Sequence, residues 1–365
     1  MKITLKNTPE QVELVKAMAS RNRDVAYEAQ TALAEFIGPV LAEVINNAPA
    51  LSNLFTTLQY NADDNPSIPL DLYFDVSDED YVQVYSQSRA GGLPTSEVLP
   101  TSAELKIATY SLDSAVSFDR RYAAKSRMDV VAKTMTRVAQ EILLKQNTIS
   151  ANVIMKALAE ASTNGLSHVI AAQTADRFTL ADLNALSTRS KRIVTSFVGG
   201  TPDARQGRGM TDIIVSPEIV EELRAIAYNP INTKNAAGTT AAAGQEVQTA
   251  NVIAEEAYRA AGAPEFYGIN VIELNEFGTG QKFNAIYGAA AGGGFNPASQ
   301  QIVVGIDRSR EALIRPVAVD SENGGEFSLI ADDQYSIRQN KIGYFGGLEE
   351  GRVVLDNRAL VGVTV

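Results

Sequence analysis

The chain has 365 residues, 45% of them hydrophobic and 21% charged, with one histidine and no cysteine. That length can bury two or three packing units, and the balance excludes wholesale disorder. The 43 acidic against 32 basic residues give a formal charge of −11, the wrong sign for a protein whose main task is to grip phosphate backbones.

The first sixty residues read as amphipathic helices forming an arm. Thr8, Pro9 and Gln11 supply an N-cap, an N1 proline and a capping-box partner. Val12, Val15 and Met18 follow at helical spacing, as do Ala29, Leu33 and Phe36, before Gly38-Pro39 interrupts the pattern. From Ile68 the period changes to two: Ile68, Leu70, Leu72, Phe74 and Val76 alternate with Pro69, Asp71, Tyr73 and Asp75. This predicts a half-buried strand, placed at an edge by Pro69. A second alternating run, Val82 to Tyr85, leads into Ala90-Gly91-Gly92-Leu93-Pro94, and strands return at Leu105-Lys106-Ile107 and Val116-Ser117-Phe118. The whole predicts a long two-stranded excursion with a flexible tip.

Residues 127–161 contain neither glycine nor proline and place Val131, Met135, Val138, Ile142, Ile149 and Val153 at helical intervals. One helix of ~50 Å is expected there at 1.5 Å per residue, ended by Gly165. Beyond it strands and helices mix. Asp212–Val215 predicts a buried strand, and Ser216-Pro217-Glu218 opens a helix with Ile219, Val220, Leu223, Ile226 and Ala227 on one face. Further strands are expected at 267–274, Ile302–Ile306, Leu313–Val319, 327–330 and 352–365, and surface loops at 229–249 and 288–300.

The search for chemistry returns nothing above background. Without cysteine there are no disulfides, thiolate metal sites or thiol nucleophiles, which fits a reducing cytosol. His168 stands alone with no Gly-x-Ser-x-Gly elbow, so it reads as a packing or surface residue. The glycines at 288, 292, 293 and 294 are not followed by Gly-Lys-Ser/Thr. Asp63-Asp64, Asp78-Glu79-Asp80 and Asp332-Asp333 lack calcium-loop spacing and read as solvated turns. The densest basic stretch, Arg120, Arg121, Lys125, Arg127, Lys133 and Arg137, reads as charge available for pairing with carboxylates at subunit boundaries. No apolar run approaches the ~20 residues of a membrane span, and the acids within the first thirty residues argue against a signal peptide. No cofactor, metal or catalytic residue is expected.

The order of elements resembles the Hong Kong 97-type phage capsid family. The likeness is carried by Thr211-Asp-Ile-Ile-Val-Ser-Pro-Glu218 with its helix, by Glu265-Phe-Tyr-Gly-Ile-Asn-Val-Ile272, and by Tyr335-Ser-Ile-Arg-Gln-Asn-Lys-Ile-Gly343 running to Val354-Leu-Asp-Asn-Arg-Ala-Leu-Val361. The resemblance implies an α+β fold with an N-terminal arm at 1–60 and a β-hairpin E-loop at 67–118. It further implies a P-domain with the spine helix at 119–175 and 323–350, and a mixed α/β A-domain at 176–322 and 351–365. It implies a non-enzymatic subunit that builds hexamers and pentamers of an icosahedral head around double-stranded DNA, without sequence-specific binding and without a membrane. Assembly would take place in the bacterial cytoplasm and end in the virion.

Candidate inter-subunit residues are Ile68, Leu70, Leu72, Phe74, Arg89, Gly91, Gly92, Arg120, Arg121 and Arg127. Expected partners besides the chain itself are a separate scaffolding protein, because only some sixty residues precede the E-loop, and a portal and decoration protein. Some family members crosslink through an E-loop lysine, and no lysine occurs between Lys16 and Lys106. An encapsulin shell enclosing cargo protein is the alternative, with a carbohydrate-acting enzyme using paired carboxylates and an adhesin or tail protein further behind.

Overall fold

The computed structural model describes residues 8–46, 51–61, 66–69, 104–163, 166–193, 209–228, 265–266, 268–319, 326–332 and 339–365. In chain order its main elements are α1 (Pro9–Ala17), α2 (Arg23–Asn46), β1 (Thr56–Asn61), β2 (Ser67–Pro69), β3 (Glu104–Lys106), β4 (Thr109–Asp119), α3 (Arg120–Ala124) and α4 (Met128–Glu160). There follow β5 (Val169–Ala171), α5 (Leu180–Ile193), β6 (Asp212–Val215), α6 (Pro217–Tyr228), β7 (Ile269–Glu273) and α7 (Lys282–Ala290). The last are β8 (Ile302–Ile306), β9 (Leu313–Val319), β10 (Ser328–Asp332), β11 (Lys341–Gly351) and β12 (Leu360–Thr364). The described residues divide into two compact units, the first formed by those within 8–69, 104–150 and 313–353, the second by those within 151–312 and 354–365.

The first unit is built on a six-stranded mixed sheet whose central strand is β11. Along one edge β11 pairs antiparallel with β4 over eleven residue pairs, from Lys341 opposite Asp119 to Gly351 opposite Thr109. Along its other edge lie β10, with Ile330 opposite Phe345, and then β9, with Val317 opposite Glu350. β1 extends the sheet parallel to β9. β4, which the sequence layout groups with the excursion at 67–118, is thus a full partner of the sheet. β9, grouped with 176–322, belongs to the same sheet.

Two helical stripes cover the sheet. From α4, Val131, Met135, Val138 and Ile142 enter a cluster with Leu112, Phe118, Ile342, Tyr344 and Leu348. The helix runs unbroken for 33 residues, as its lack of glycine and proline predicts. From α2, Leu33, Ile37, Leu41 and Ile45 enter the same cluster, joined by Val15 and Met18. The arm helices therefore bury a face within their own chain. Gly38-Pro39 does not break α2, which continues through Pro39 to Asn46. A mid-helix proline costs about 3 kcal/mol, and burial of four aliphatic side chains at ~1.5 to 3 kcal/mol each outweighs it. Ala29 and Leu33 are buried as expected, but Phe36 is 54% exposed and its neighbour Ile37 takes the next place on the stripe. At α1 the expected cap is present, with the Thr8 hydroxyl accepting from the Gln11 N–H at 3.4 Å and Pro9 at N1.

The second unit holds another six-stranded mixed sheet, with β5, β12, β8, β6 and β7 side by side and Glu265–Phe266 beyond β7. β6 is buried along its whole length, Asp212 included, as the apolar run Ile213-Ile214-Val215 predicts. Ser216 caps α6 by accepting from the Ile219 N–H at 3.3 Å, and Ile219, Val220 and Leu223 pack with Leu183, Leu186 and Ile193 of α5. Helix α5 was not anticipated from the sequence.

The expected surface loop at 288–300 is present from Ala291 onward as a series of turns, while residues 288–290 close α7. Gly288 lies inside α7, where an added Cβ would come 3.1 Å from Pro297. The Tyr287 and Phe295 rings meet edge to face at 4.9 Å. Small residues here permit close packing. The expected strand at 352–365 is interrupted by a 3-10 turn at Asn357–Ala359, capped by Asp356.

Candidate functional site

The strongest electrostatic feature of the first unit is a solvent-excluded cluster around Glu350 of β11. Its Oε2 accepts from Arg315 Nε at 2.7 Å and from Gln146 Nε2 at 3.1 Å. Its Oε1 meets Arg352 Nη1 at 2.7 Å and accepts from the Tyr110 hydroxyl at 3.0 Å. Arg352 also donates to Tyr110 Oη at 2.7 Å and to Ser52 Oγ at 2.9 Å, and its guanidinium lies 5.8 Å from the Phe55 ring centroid. One carboxylate thus ties β4, β9, β11 and α4 to the segment entering β1.

Burial pulls the Arg352 guanidinium below its ordinary value, opposed chiefly by the charge of Glu350. Burial also pushes the Tyr110 phenol up, so it stays protonated and donates to the carboxylate. With both oxygens engaged, Glu350 has no lone pair directed at a cleft where a substrate could meet it. The arrangement is a structural clamp. Sequence reading missed it because its members are separated by up to 300 residues and none stands in a recognisable motif.

In the second unit, His168 is fully buried, with Nδ1 3.1 Å from the Asn357 carbonyl and 2.9 Å from that of Leu360. Two carbonyl neighbours require a proton on Nδ1. Desolvation draws the imidazole below its usual pKa, although the two carbonyls work the other way. It is a packing histidine. Among the described residues no three His, Asp or Glu side chains gather as a metal site, and no described helix is long and apolar enough to cross a membrane.

The candidate assembly residues divide sharply. Ile68 is 7% exposed and stands opposite Leu105 in the β2–β3 pair. Leu70, Leu72, Phe74, Arg89, Gly91 and Gly92 lie outside the described residues. Arg120 Nη2 donates to the Ala19 carbonyl at 3.1 Å, Arg121 forms an exposed ion pair with Asp119 at 2.9 Å, and Arg127 is exposed. Two of the three arginines therefore have partners within the chain. Exposed large apolar side chains not among these candidates concentrate in the first unit. Val25, Phe36 and Val40 follow one face of α2, and Ile330 and Phe345 stand directly opposite on the sheet, 55% and 40% exposed.

No family model and no curated protein matches the sequence. Among solved structures, the chain is similar to the capsid of an empty GTA particle, at 12% identity over 87% of this chain and 90% of that one, TM-score 0.48. It is similar to the Microbacterium phage Oxtober96 structure at 12% identity over 86% and 90%, TM-score 0.47. It is also similar to the holo-SrpI encapsulin of Synechococcus elongatus PCC 7942 at 11% identity over 87% of each chain, TM-score 0.45. These similarities include both phage and encapsulin shells, and the functional reading rests on the chain's own geometry.

Proposed function

We propose that this chain is a structural shell subunit of the Hong Kong 97 type, the major capsid protein of a tailed double-stranded DNA phage. The observation that carries the reading is the succession along the chain: a helical arm, the paired base β2–β3 of an excursion, a 33-residue helix, and a sheet with two eleven-residue strands. A helix of ~50 Å is far longer than the ~11 to 12 residues of an average globular helix. Exposed apolar pairs such as Ile330 and Phe345 add the kind of surface that association covers.

In this reading residues 1–60 form the arm, 67–118 the E-loop, 119–175 and 323–350 the P-domain, and 176–322 with 351–365 the A-domain. Hexamers and pentamers close into a head assembled in the host cytoplasm, with a separate scaffolding protein, a portal and a decoration protein as partners. Ile68, Leu70, Leu72, Phe74, Arg89, Gly91, Gly92, Arg120, Arg121 and Arg127 contribute contacts between subunits. The subunit catalyses nothing. Packaged DNA slides along an acidic wall without being gripped, which a formal charge of −11 favours.

Nuclease digestion of particles purified from infected or expressing cells tests the phage reading against the encapsulin alternative. Protected double-stranded DNA inside the shells supports a phage head. Shells filled with a cargo protein and free of DNA assign the chain to an encapsulin.

A further inference from the structure

Helix α2 carries Asp24, Glu28, Glu35 and Glu43, all exposed, and no base after Arg23. Beside these acids Val25, Ala32, Phe36 and Val40 form an apolar stripe open to solvent, in which Phe36 is 54% exposed. Helix α4 holds the opposite surface in the same unit: Leu144 is 55% exposed and shares the outer face with Lys133, Arg137 and Lys145. Among the described residues, Glu28, Glu35, Glu43, Lys133, Arg137 and Lys145 form no ion pair within the chain. Each helix thus leaves a large apolar side chain in water, one among acids and the other among bases.

We infer that the α2 face of one copy docks on the α4 face of a second copy, with Phe36 seated against Leu144. The inference rests on the shell reading and names one contact of it. Charge complementarity selects a second copy as the occupant. Glu35 is the residue before Phe36 and Lys145 the residue after Leu144, so these two stand side by side when the apolar residues meet. Arg137 lies seven residues, two helical turns, before Leu144. Glu28 lies eight residues before Phe36 and Glu43 seven after it, so Arg137 meets an acid whether the helices run parallel or antiparallel. The one acid between Arg137 and Leu144, Glu141, is three residues from Leu144 and falls level with Leu33 or Pro39, where α2 has no charge. Exposed pairs of this kind add little affinity each. They set orientation, while Phe36 and Leu144 supply the apolar burial. Copies with a net charge of −11 repel one another, and this match gives them an approach along which they attract. A nucleic acid laid on α4 would leave the acidic face of α2 uncovered.

The chain has no cysteine, so single variants carry unique thiols. Full-length Phe36→Cys and Leu144→Cys proteins, each shown to melt cooperatively, are mixed in equal amounts, assembled and treated with a short bis-maleimide. A denaturing gel should show a covalent dimer, and mass spectrometry should find one peptide from each variant in it. Either variant assembled alone should give little dimer. Independently, Arg137→Glu should cut the assembled fraction about tenfold by setting a like charge against α2. A second reversal in the same chain should restore assembly, Glu28→Arg if the helices run parallel and Glu43→Arg if they run antiparallel. Shells that yield no mixed dimer, or a Phe36→Cys, Leu144→Cys double variant linked only within its own copy, overturn the inference and leave the shell reading standing. Arg137→Glu protein that assembles as wild type does, or that neither reversal rescues, also overturns it. A protein that stays monomeric at every concentration overturns both.

Discussion

Arg352 and Glu350 meet at 2.7 Å with neither side chain exposed to solvent. A buried pair of this kind adds little net stability relative to an apolar replacement, but removing one partner leaves the other charge stranded. Here Glu350 serves two arginines. Glu350→Gln should destabilise the first unit by ~3 to 5 kcal/mol, read as a shift of the denaturant midpoint. Replacing Glu350 and Arg352 together by apolar residues should restore part of that loss. Equal losses in the single and double variants would show that the clamp does not act as a coupled unit.

Val138 is 4% exposed in the stripe that α4 lays on the sheet. Val138→Asp buries a charge with no partner, a change that costs several kcal/mol. Thermal melting should show the variant unfolded or strongly destabilised and unable to assemble. A folded variant that still forms particles would mean that this face of the helix is wet.

His168 gives the second unit a pH dependence of known sign. Burial lowers its folded-state pKa below the unfolded value near 6.5, so its neutral form is favoured by folding. The associated stability is fully present above about pH 6.5. It declines as pH falls below that value and levels off once the folded-state pKa is passed. The melting temperature of wild type should therefore fall more steeply between neutral and mildly acidic pH than that of His168→Gln. Parallel curves would place the acid sensitivity elsewhere.

Particles boiled in detergent should release one band at the monomer mass, because the segment between Lys16 and Lys106 offers no lysine for a covalent link between subunits. Lys106 itself lies in β3, opposite Ser67. A ladder of covalent multimers on a denaturing gel would show a crosslink through another residue.

Elements governed by local pattern were legible before the structure. The extent of α4 follows from the absence of glycine and proline, and β6, β8 and β9 from short apolar runs with β-branched residues. Thr8 and Ser216 announced their caps because a capping hydroxyl acts within three residues of its own position. What escaped depended on distant partners. Pro39 is tolerated because the residues around it bury a long stripe, and α7 keeps Gly288 because Pro297 needs the space. The Glu350 clamp is assembled from five separate stretches of chain.

Cryo-electron microscopy of the purified full-length protein, expressed alone and with its scaffolding partner, tests the central claim most directly. Closed icosahedral shells are predicted, with α4 and the eleven-residue strands β4 and β11 repeated in every subunit. Discrete monomers, or open tubes under all conditions, would contradict it.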